Sequence, residues 1–173
     1  TVSGDVMNIK KVSVDKEGTG MGWGAVYAQY LESMDQIGEQ GNGLSVSRQL
    51  YKGDEALNES APLKVGDKIT VRLTVKADRD MDFVQIKDDR AACMEPLQAV
   101  SGFRWSNGLG YYQATKDAST QFFIDQMRKG TYVIEYQVYV NRTGEYQTGI
   151  ATVQSAYAPE FGGHTGGYRV MVE

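Results

Sequence analysis

Two side chains in this sequence have the chemistry of a nucleophilic site, the single cysteine, Cys93, and the single histidine, His164. A cysteine attacks as its thiolate, and a neighbouring imidazole is the usual group that lowers the thiol pKa. The small apolar neighbours Ala91 and Ala92 instead favour a buried, unreactive thiol. One histidine and one cysteine also cannot supply a zinc site rich in these ligands or an internal disulfide.

Acidic residues recur at alternate positions in one short segment: Asp78, Asp80 and Asp82. This spacing resembles the start of a calcium-binding loop, which needs glycine at its sixth position and a bidentate glutamate at its twelfth. Phe83 and Asp89 stand at those positions, so the sequence favours a solvated turn over a weak calcium site. In such a turn the acids are balanced by three basic residues: Arg79, Lys87 and Arg90.

No other motif points to catalysis. The sequence lacks a Gly-x-Ser-x-Gly elbow, and Asp117 and Glu160 stand alone rather than as a carboxylate pair. We therefore predict a protein that is not an enzyme and needs no cofactor.

Aromatic residues cluster around the glycine-containing turn Ser106–Gly110. The cluster gives five candidate docking or binding residues: Phe103, Arg104, Trp105, Tyr111 and Tyr112. On a β-sandwich, aromatic loops can form a platform that stacks on sugars or binds protein. The same side chains can equally close one end of the core, and the sequence leaves both interpretations open.

The elements that position these residues are predicted to be strands. Apolar and polar residues alternate from Ile69 to Ala77 and from Thr131 to Val140, as they do in strands with one buried face. Asn141–Gly144 would close a hairpin after the second strand. Weaker strand signals lie at Met7–Val14, Trp23–Leu31, Leu44–Tyr51, Phe83–Lys87, Tyr111–Thr115, Thr120–Met127, Gln147–Tyr157 and Gly167–Val172. Loops are predicted at Gln36–Gly43, Arg79–Asp82 and Gln98–Gly110.

Many short strands separated by glycine turns predict an all-β fold, an antiparallel β-sandwich. We assign residues 23–173 to this domain and residues 1–22 to a lead-in strand or a tail from a preceding domain. The 41% hydrophobic and 23% charged residues are typical of a folded soluble domain. A net charge of −4 argues against nucleic acid as a partner, and the apolar runs are too short to insert into a membrane.

One segment, Trp23–Tyr30, resembles the Trp-Gly-Ala-x-Tyr-x-Gln-Tyr segment of bacterial alpha-2-macroglobulin-like proteins. Further matches follow in the same order at Leu63–Lys68, Asp78–Val84, Lys87–Ala92, Glu95–Pro96, Ser101–Trp105, Gly108–Tyr112, Lys129–Tyr132 and Tyr157–Phe161. The ordered set is similar to the C-terminal, receptor-binding-like domain of that family.

The resemblance implies a β-sandwich at the end of a long, many-domain exported protein, in the periplasm or on the outer cell surface, with a lipid anchor in many members. The partners it implies are the other domains of the parent chain and the proteases that the parent traps. Ile37 stands where the family's thioester motif has cysteine, so Ile37–Gln40 forms no thioester and no catalytic residue carries over. The alternative is a stand-alone carbohydrate- or protein-binding module, favoured if the aromatic rings are coplanar and exposed.

Overall fold

The computed structural model of the 173-residue chain describes residues 17–21, 40–58 and 61–173. The chain divides into two compact units, Thr1–Glu32 and Ser33–Glu173, and every strand below belongs to the second. The predicted strands Met7–Val14 and Trp23–Leu31 lie outside the described residues, as does the predicted lead-in apart from residues 17–21.

The described residues form fourteen strands and no helix. The strands are β1 Gln40–Asn42, β2 Leu44–Lys52, β3 Glu55–Ala56, β4 Lys68–Ala77, β5 Met81–Asp89, β6 Met94–Pro96, β7 Gly102–Ser106, β8 Leu109–Thr115, β9 Ser119–Met127, β10 Gly130–Val140, β11 Gly144–Thr148, β12 Ala151–Ser155, β13 Gly162–His164 and β14 Tyr168–Val172. Accordingly, this part of the chain contains no helix long and apolar enough to cross a bilayer.

Two layers of antiparallel strands face each other. Backbone hydrogen bonds join eleven strands in the order β6-β10-β4-β2-β1-β13-β12-β5-β9-β8-β7, and β3 pairs with β2 to make twelve. The layers contact each other between β9 and β10, where the ring centroids of Phe122 and Tyr136 lie 5.9 Å apart. A separate two-stranded sheet pairs β11 with β14. The predicted antiparallel β-sandwich is therefore confirmed.

The hydrophobic core is built largely from the alternating apolar residues of the two most clearly predicted strands. In β4 the buried positions are Ile69, Val71, Leu73, Val75 and Ala77. In β10 they are Ile134, Tyr136, Val138 and Val140. The register places Ile134 opposite Leu73 and Val138 opposite Ile69, so both strands turn the same face inward. Each large aliphatic side chain buried in this way stabilises the fold by roughly 1.5–3 kcal/mol.

Three local predictions are wrong. The predicted loop Gln98–Gly110 contains β7 and the start of β8, and the described end of the predicted loop Gln36–Gly43 forms β1. The turn Asn141–Gly144 closes no hairpin, because Gly144 has a φ of +133° and begins β11, which pairs with β14 rather than β10.

Two other boundaries differ from the prediction. The predicted strand Gln147–Tyr157 is broken between Thr148 and Ala151, where the chain passes from the small sheet to the large one. Gly149 allows this passage, because a Cβ there would lie only 2.4 Å from Cβ of Asp89. The predicted loop Arg79–Asp82 is shorter than expected, since β5 already begins at Met81.

Candidate docking surface

The aromatic cluster lies on a hairpin. β7 and β8 are joined by the two residues Asn107 and Gly108, whose φ angles are 50° and 79°. Two consecutive positive φ angles define a type I′ turn, whose twist matches that of the flanking strands. Asn-Gly is the sequence that most favours this turn, so the hairpin could have been recognised from the sequence.

The hairpin register sets the aromatic rings across from one another. Phe103 pairs with Tyr112, and their ring centroids lie 5.1 Å apart at an interplanar angle of 75°. Trp105 pairs with Gly110, where a Cβ would lie 2.8 Å from the six-membered ring of the indole. Because Gly110 has no side chain, the indole can lie against the sheet at this position.

The aromatic surface continues onto the next strand. Tyr112 also pairs with Phe123 of β9, which makes a row of three rings across three strands. We call Phe103, Trp105, Tyr112 and Phe123 the aromatic face. Phe103 is 80% exposed and Trp105 is 76% exposed, and the four side chains line an open groove of about 750 Å³. Asp125 and Arg128 also line this groove and contribute charge to it.

The structure divides the five candidate residues between two sides of the hairpin. Phe103, Trp105 and Tyr112 belong to the aromatic face. Tyr111 is only 6% exposed and packs edge-on against Phe122 in the core, where burial raises the pKa of its hydroxyl. Arg104 donates long hydrogen bonds to Oε1 of Gln98 at 3.3 Å and to the carbonyl of Val100 at 3.4 Å.

The aromatic face does not form a flat platform. Its rings are exposed, but Phe103 and Tyr112 are nearly perpendicular. Stacking on successive sugar rings needs aromatic planes that share an orientation, so this pair does not meet the coplanar condition of the carbohydrate-binding alternative. An irregular, exposed set of aromatic rings is better suited to packing against protein side chains.

The sequence favoured a buried, unreactive Cys93 over cysteine–histidine chemistry, and the structure buries this residue. Cys93 is fully buried just before β6, and burial raises the pKa of its thiol. The Nδ1 atom of His164, in β13, lies 3.2 Å from the carbonyl oxygen of Thr165. Within the described residues no hydrogen bond or ion pair joins Cys93 to His164, and no cluster of potential metal ligands contains them. The thiol is therefore neither accessible nor activated.

The acidic segment is held by local contacts. Asp78 forms an ion pair with Arg79 at 2.8 Å, which lowers the pKa of the Asp78 carboxyl. Oδ1 of Asp80 accepts a hydrogen bond from the backbone N–H of Lys129 at 2.7 Å. Asp82 is exposed on β5. Within the described ranges no three His, Cys, Asp or Glu side chains come close enough to hold a metal ion.

Arg90 does not balance these acids, contrary to the prediction. Its side chain is buried, and it donates to Oγ1 of Thr120 at 2.6 Å and to the backbone carbonyls of Lys116 and Asp117. It therefore fastens the β8–β9 turn to the end of β5. The segment around Arg90 is rich in charged residues, so its sequence gives no sign that this arginine is buried among carbonyl acceptors.

Asp88, near the end of β5, is buried between the two layers. Its carboxylate accepts hydrogen bonds from Arg48 of β2 at 2.5 Å and from the hydroxyl of Tyr136 of β10 at 2.6 Å. Burial raises the pKa of the Asp88 carboxyl, against the opposing effects of Arg48 and Tyr136. Asp88 lies on the same face of β5 as the buried residues Val84 and Ile86. This two-residue spacing is the feature of the sequence that could have indicated its burial.

Residues 43–160 match the sequence profile of the bacterial alpha-2-macroglobulin MG10 domain. Among solved structures, Salmonella alpha-2-macroglobulin reacted with methylamine is 19% identical with a TM-score of 0.66, over 79% of this chain and 10% of that chain. Trypsin-activated alpha-2-macroglobulin from Escherichia coli is 15% identical with a TM-score of 0.66, over 79% and 11%. Both share the fold.

Among curated proteins, circularly permutated Ras protein 2 of Dictyostelium discoideum is 28% identical over 166 residues, which are 92% of this chain and 4% of that protein. The chain thus spans about a tenth or less of the length of these similar proteins.

Proposed function

This chain belongs to the bacterial alpha-2-macroglobulin family, as an MG10 domain, and on that premise we propose that it docks on neighbouring domains of a larger exported protein and so contributes to the conformational trapping of proteases. In this proposal the domain is non-catalytic, lies at the C-terminal end of its parent, and resides in the periplasm or on the outer cell surface. Its partners are the other domains of the parent and, through the parent, the trapped proteases.

The aromatic face is the observation that carries the proposal. Four neighbouring aromatic side chains, two of them more than three-quarters exposed, form an apolar surface that a monomeric domain has no reason to leave in water. Aromatic residues contribute most of the binding energy in protein–protein interfaces, and a row of them across three paired strands is rigidly positioned. A domain that moves with its parent during trapping needs a surface of this kind.

A mechanical role agrees with the chemistry of the described residues. The thiol of Cys93 is buried with a raised pKa, and His164 contacts a backbone carbonyl. In the interior, the carboxylate of Asp88 accepts hydrogen bonds from Arg48 and from the hydroxyl of Tyr136. We therefore propose that the domain contributes shape and a contact surface rather than a reacting group.

The test compares two substitutions in the full-length parent protein, Trp105→Ala on the aromatic face and Tyr157→Ala as a control. Tyr157 is also exposed, by 78%, but lies beside Phe83 rather than on the aromatic face. We expect Trp105→Ala to leave the domain folded, to expose the β7–β8 hairpin to limited proteolysis, and to reduce the amount of protease retained after challenge. Tyr157→Ala should behave as the wild type. If both variants retain protease and resist proteolysis equally, the docking proposal is wrong.

A further inference from the structure

The strand that carries Phe103 and Trp105 is an open edge of the large sheet. β7 is the last strand of the eleven-strand path, and no strand in the described ranges pairs with its outer side. At the opposite end of the path, β6 has three residues and ends in Pro96, which lacks the N–H that a further strand would need. β7 has five residues and none of the proline, lysine or bulge that usually protects an edge.

The turn determines which residues direct their backbone groups to this edge. In a two-residue hairpin the flanking pair, here Ser106 and Leu109, exchanges backbone hydrogen bonds, and bonded and non-bonded pairs then alternate along the ladder. Arg104 therefore bonds to β8, whereas Phe103 and Trp105 direct their N–H and C=O groups away from it. The two most exposed aromatic residues of the hairpin thus also carry the backbone groups of β7 that no described strand bonds.

We propose that β7 accepts an added strand, and that the docking inferred above takes place by β-augmentation with an extended segment from a neighbouring domain of the same longer protein. This inference rests on the proposed function and specifies how the surface is occupied. Backbone hydrogen bonds to Phe103 and Trp105 provide the pairing, and the aromatic face provides the side-chain contacts.

The side chains of β7 define the chemistry of the added strand. Phe103 and Trp105 lie on one side of the sheet, so the segment places apolar residues at two alternate positions against them. Arg104, between them, lies on the other side and has no carboxylate partner within the described part of the chain. An acidic residue between the two apolar ones pairs with this guanidinium.

A second copy of this chain fits the same edge poorly. The antiparallel register that pairs the whole of β7 with itself is centred on Arg104 and places the two like-charged guanidinium groups directly opposite each other, which destabilises a sheet. β7 is also short, with five residues extending roughly 17 Å. Stable interfaces bury about 1,200–2,000 Å², more than one such strand pair provides.

Residue-resolved hydrogen exchange on the full-length parent tests the inference, with Arg104 as an internal reference. If a strand is added, the amides of Phe103 and Trp105 are expected to be protected to within about tenfold of the Arg104 amide, which bonds to β8. On a bare edge they would exchange at least ~100-fold faster than the Arg104 amide. The second pattern would overturn the inference.

Two substitutions at Trp105 then separate this inference from the proposed function. Trp105→Ala removes the ring but keeps the outward N–H, whereas Trp105→Pro removes both and leaves the bonds to β8 intact. We expect Trp105→Pro to release the domain at least ~10-fold more than Trp105→Ala, with Gly102→Ala as a neutral change in the same strand. Equal release by the two Trp105 variants would refute strand addition and leave docking by side chains. No release by either would refute docking as well.

If Trp105→Pro does not fold, Phe103→Pro removes the second outward N–H and takes its place in the comparison, with Phe103→Ala as its partner. The hydrogen-exchange pattern of the wild-type parent decides the question without any substitution.

Discussion

Gly110 shows how one missing side chain determines the position of another. Its Cα lies under the ring of Trp105, and an added Cβ would come within 2.8 Å of the indole carbons. Trp105 can therefore lie on the sheet with its outer surface exposed. The glycine is required here for the close approach of the ring and not for its backbone angles, since its φ is not positive.

Replacing Gly110 with alanine is expected to displace the indole of Trp105 while leaving the fold intact, because the neighbour that must move is an exposed side chain. In two-dimensional NMR spectra the indole N–H signal of Trp105 should shift, and the free energy of unfolding should change by less than about 1 kcal/mol. Gly102→Ala is the control, because nothing lies within 4 Å of the added Cβ. An unchanged indole signal in Gly110→Ala would show that the ring does not rest on the glycine.

Tyr136 should make stability depend on alkaline pH. Burial, reinforced by the carboxylate of Asp88, raises the pKa of its hydroxyl well above 10 in the folded protein. In the unfolded chain the pKa is about 10, so the unfolded state alone loses the proton as the pH rises above that value. The contribution is therefore complete below pH ~10 and falls by about 1.4 kcal/mol per pH unit until the folded pKa is reached.

Urea unfolding of the wild type and of Tyr136→Phe between pH 8 and 11.5 measures this contribution as a difference, which cancels the other ten tyrosines. The wild type should lose stability more steeply than the variant above pH ~10. Parallel curves would mean that the hydroxyl of Tyr136 ionises in the folded protein as readily as in water.

Among the elements, the β7–β8 hairpin depends most on its turn. Asn107 and Gly108 both have positive φ angles, a conformation that costs roughly 1–2 kcal/mol for a residue with a side chain other than asparagine or aspartate. Nothing lies within 4 Å of a Cβ at Gly108, so only the backbone conformation, and not crowding, requires glycine there.

Gly108→Ala is therefore expected to destabilise the hairpin by about 1–2 kcal/mol. The effect should appear as faster hydrogen exchange at the amide of Arg104, while exchange in β4, at the centre of its layer, is unchanged. Gly102→Ala, in the same hairpin but without a positive φ, provides the reference. If both variants exchange alike, the turn conformation does not limit hairpin stability.

The elements that could be predicted are those whose own sequence carries the pattern of burial. The predicted strands Ile69–Ala77 and Thr131–Val140 agree with β4 and β10 to one residue, because alternating burial appears directly in their composition. β7 was not predicted because its large apolar residues face solvent, whereas the apolar residues of a strand usually face the core. The glycine-rich β1 and β13 have almost no side chains to show a pattern, and only pairing with each other and their neighbours makes them strands.

For a related reason, only part of the candidate site could be predicted from the sequence. Composition identified the cluster around Trp105, but the direction of each side chain depends on the register, which the Asn107-Gly108 turn fixes. Once Ser106 is paired with Leu109, Phe103 and Tyr112 must share one side of the sheet and Tyr111 the other. Asp88 shows the opposite limit, since its burial depends on Arg48 and Tyr136, which are 40 and 48 residues distant in the sequence.

For the whole molecule, the contact of Arg48 with Asp88 joins the two layers. Arg48 extends from β2 to the carboxylate on β5, and its Nη2 also donates to Oγ1 of Thr148 at 2.7 Å and to the carbonyl of Gly149 at 2.6 Å. A charge buried in this way is tolerated only when it is fully paired. One arginine therefore ties together both layers and the junction between the large and the small sheet.

Arg48→Met is expected to destabilise the protein by about 3–5 kcal/mol, because it leaves Asp88 buried without its cation. The double variant Arg48→Met, Asp88→Leu should recover much of that loss, since neither charge is then stranded. Urea unfolding at neutral pH measures both values. A double variant no more stable than Arg48→Met alone would mean that shape, rather than charge pairing, determines this contact.

The proline at one end of the large sheet has a consequence for aggregation. Growth of a fibril by edge-to-edge pairing needs two receptive edges on every copy, so that each molecule added creates the next point of attachment. The sheet built from the described residues has one such edge at β7 and a blocked one at Pro96. A second copy that paired at β7 would occupy this end of the strand path on both molecules, and since the other end is blocked at Pro96, end-to-end growth of the path would stop at two molecules.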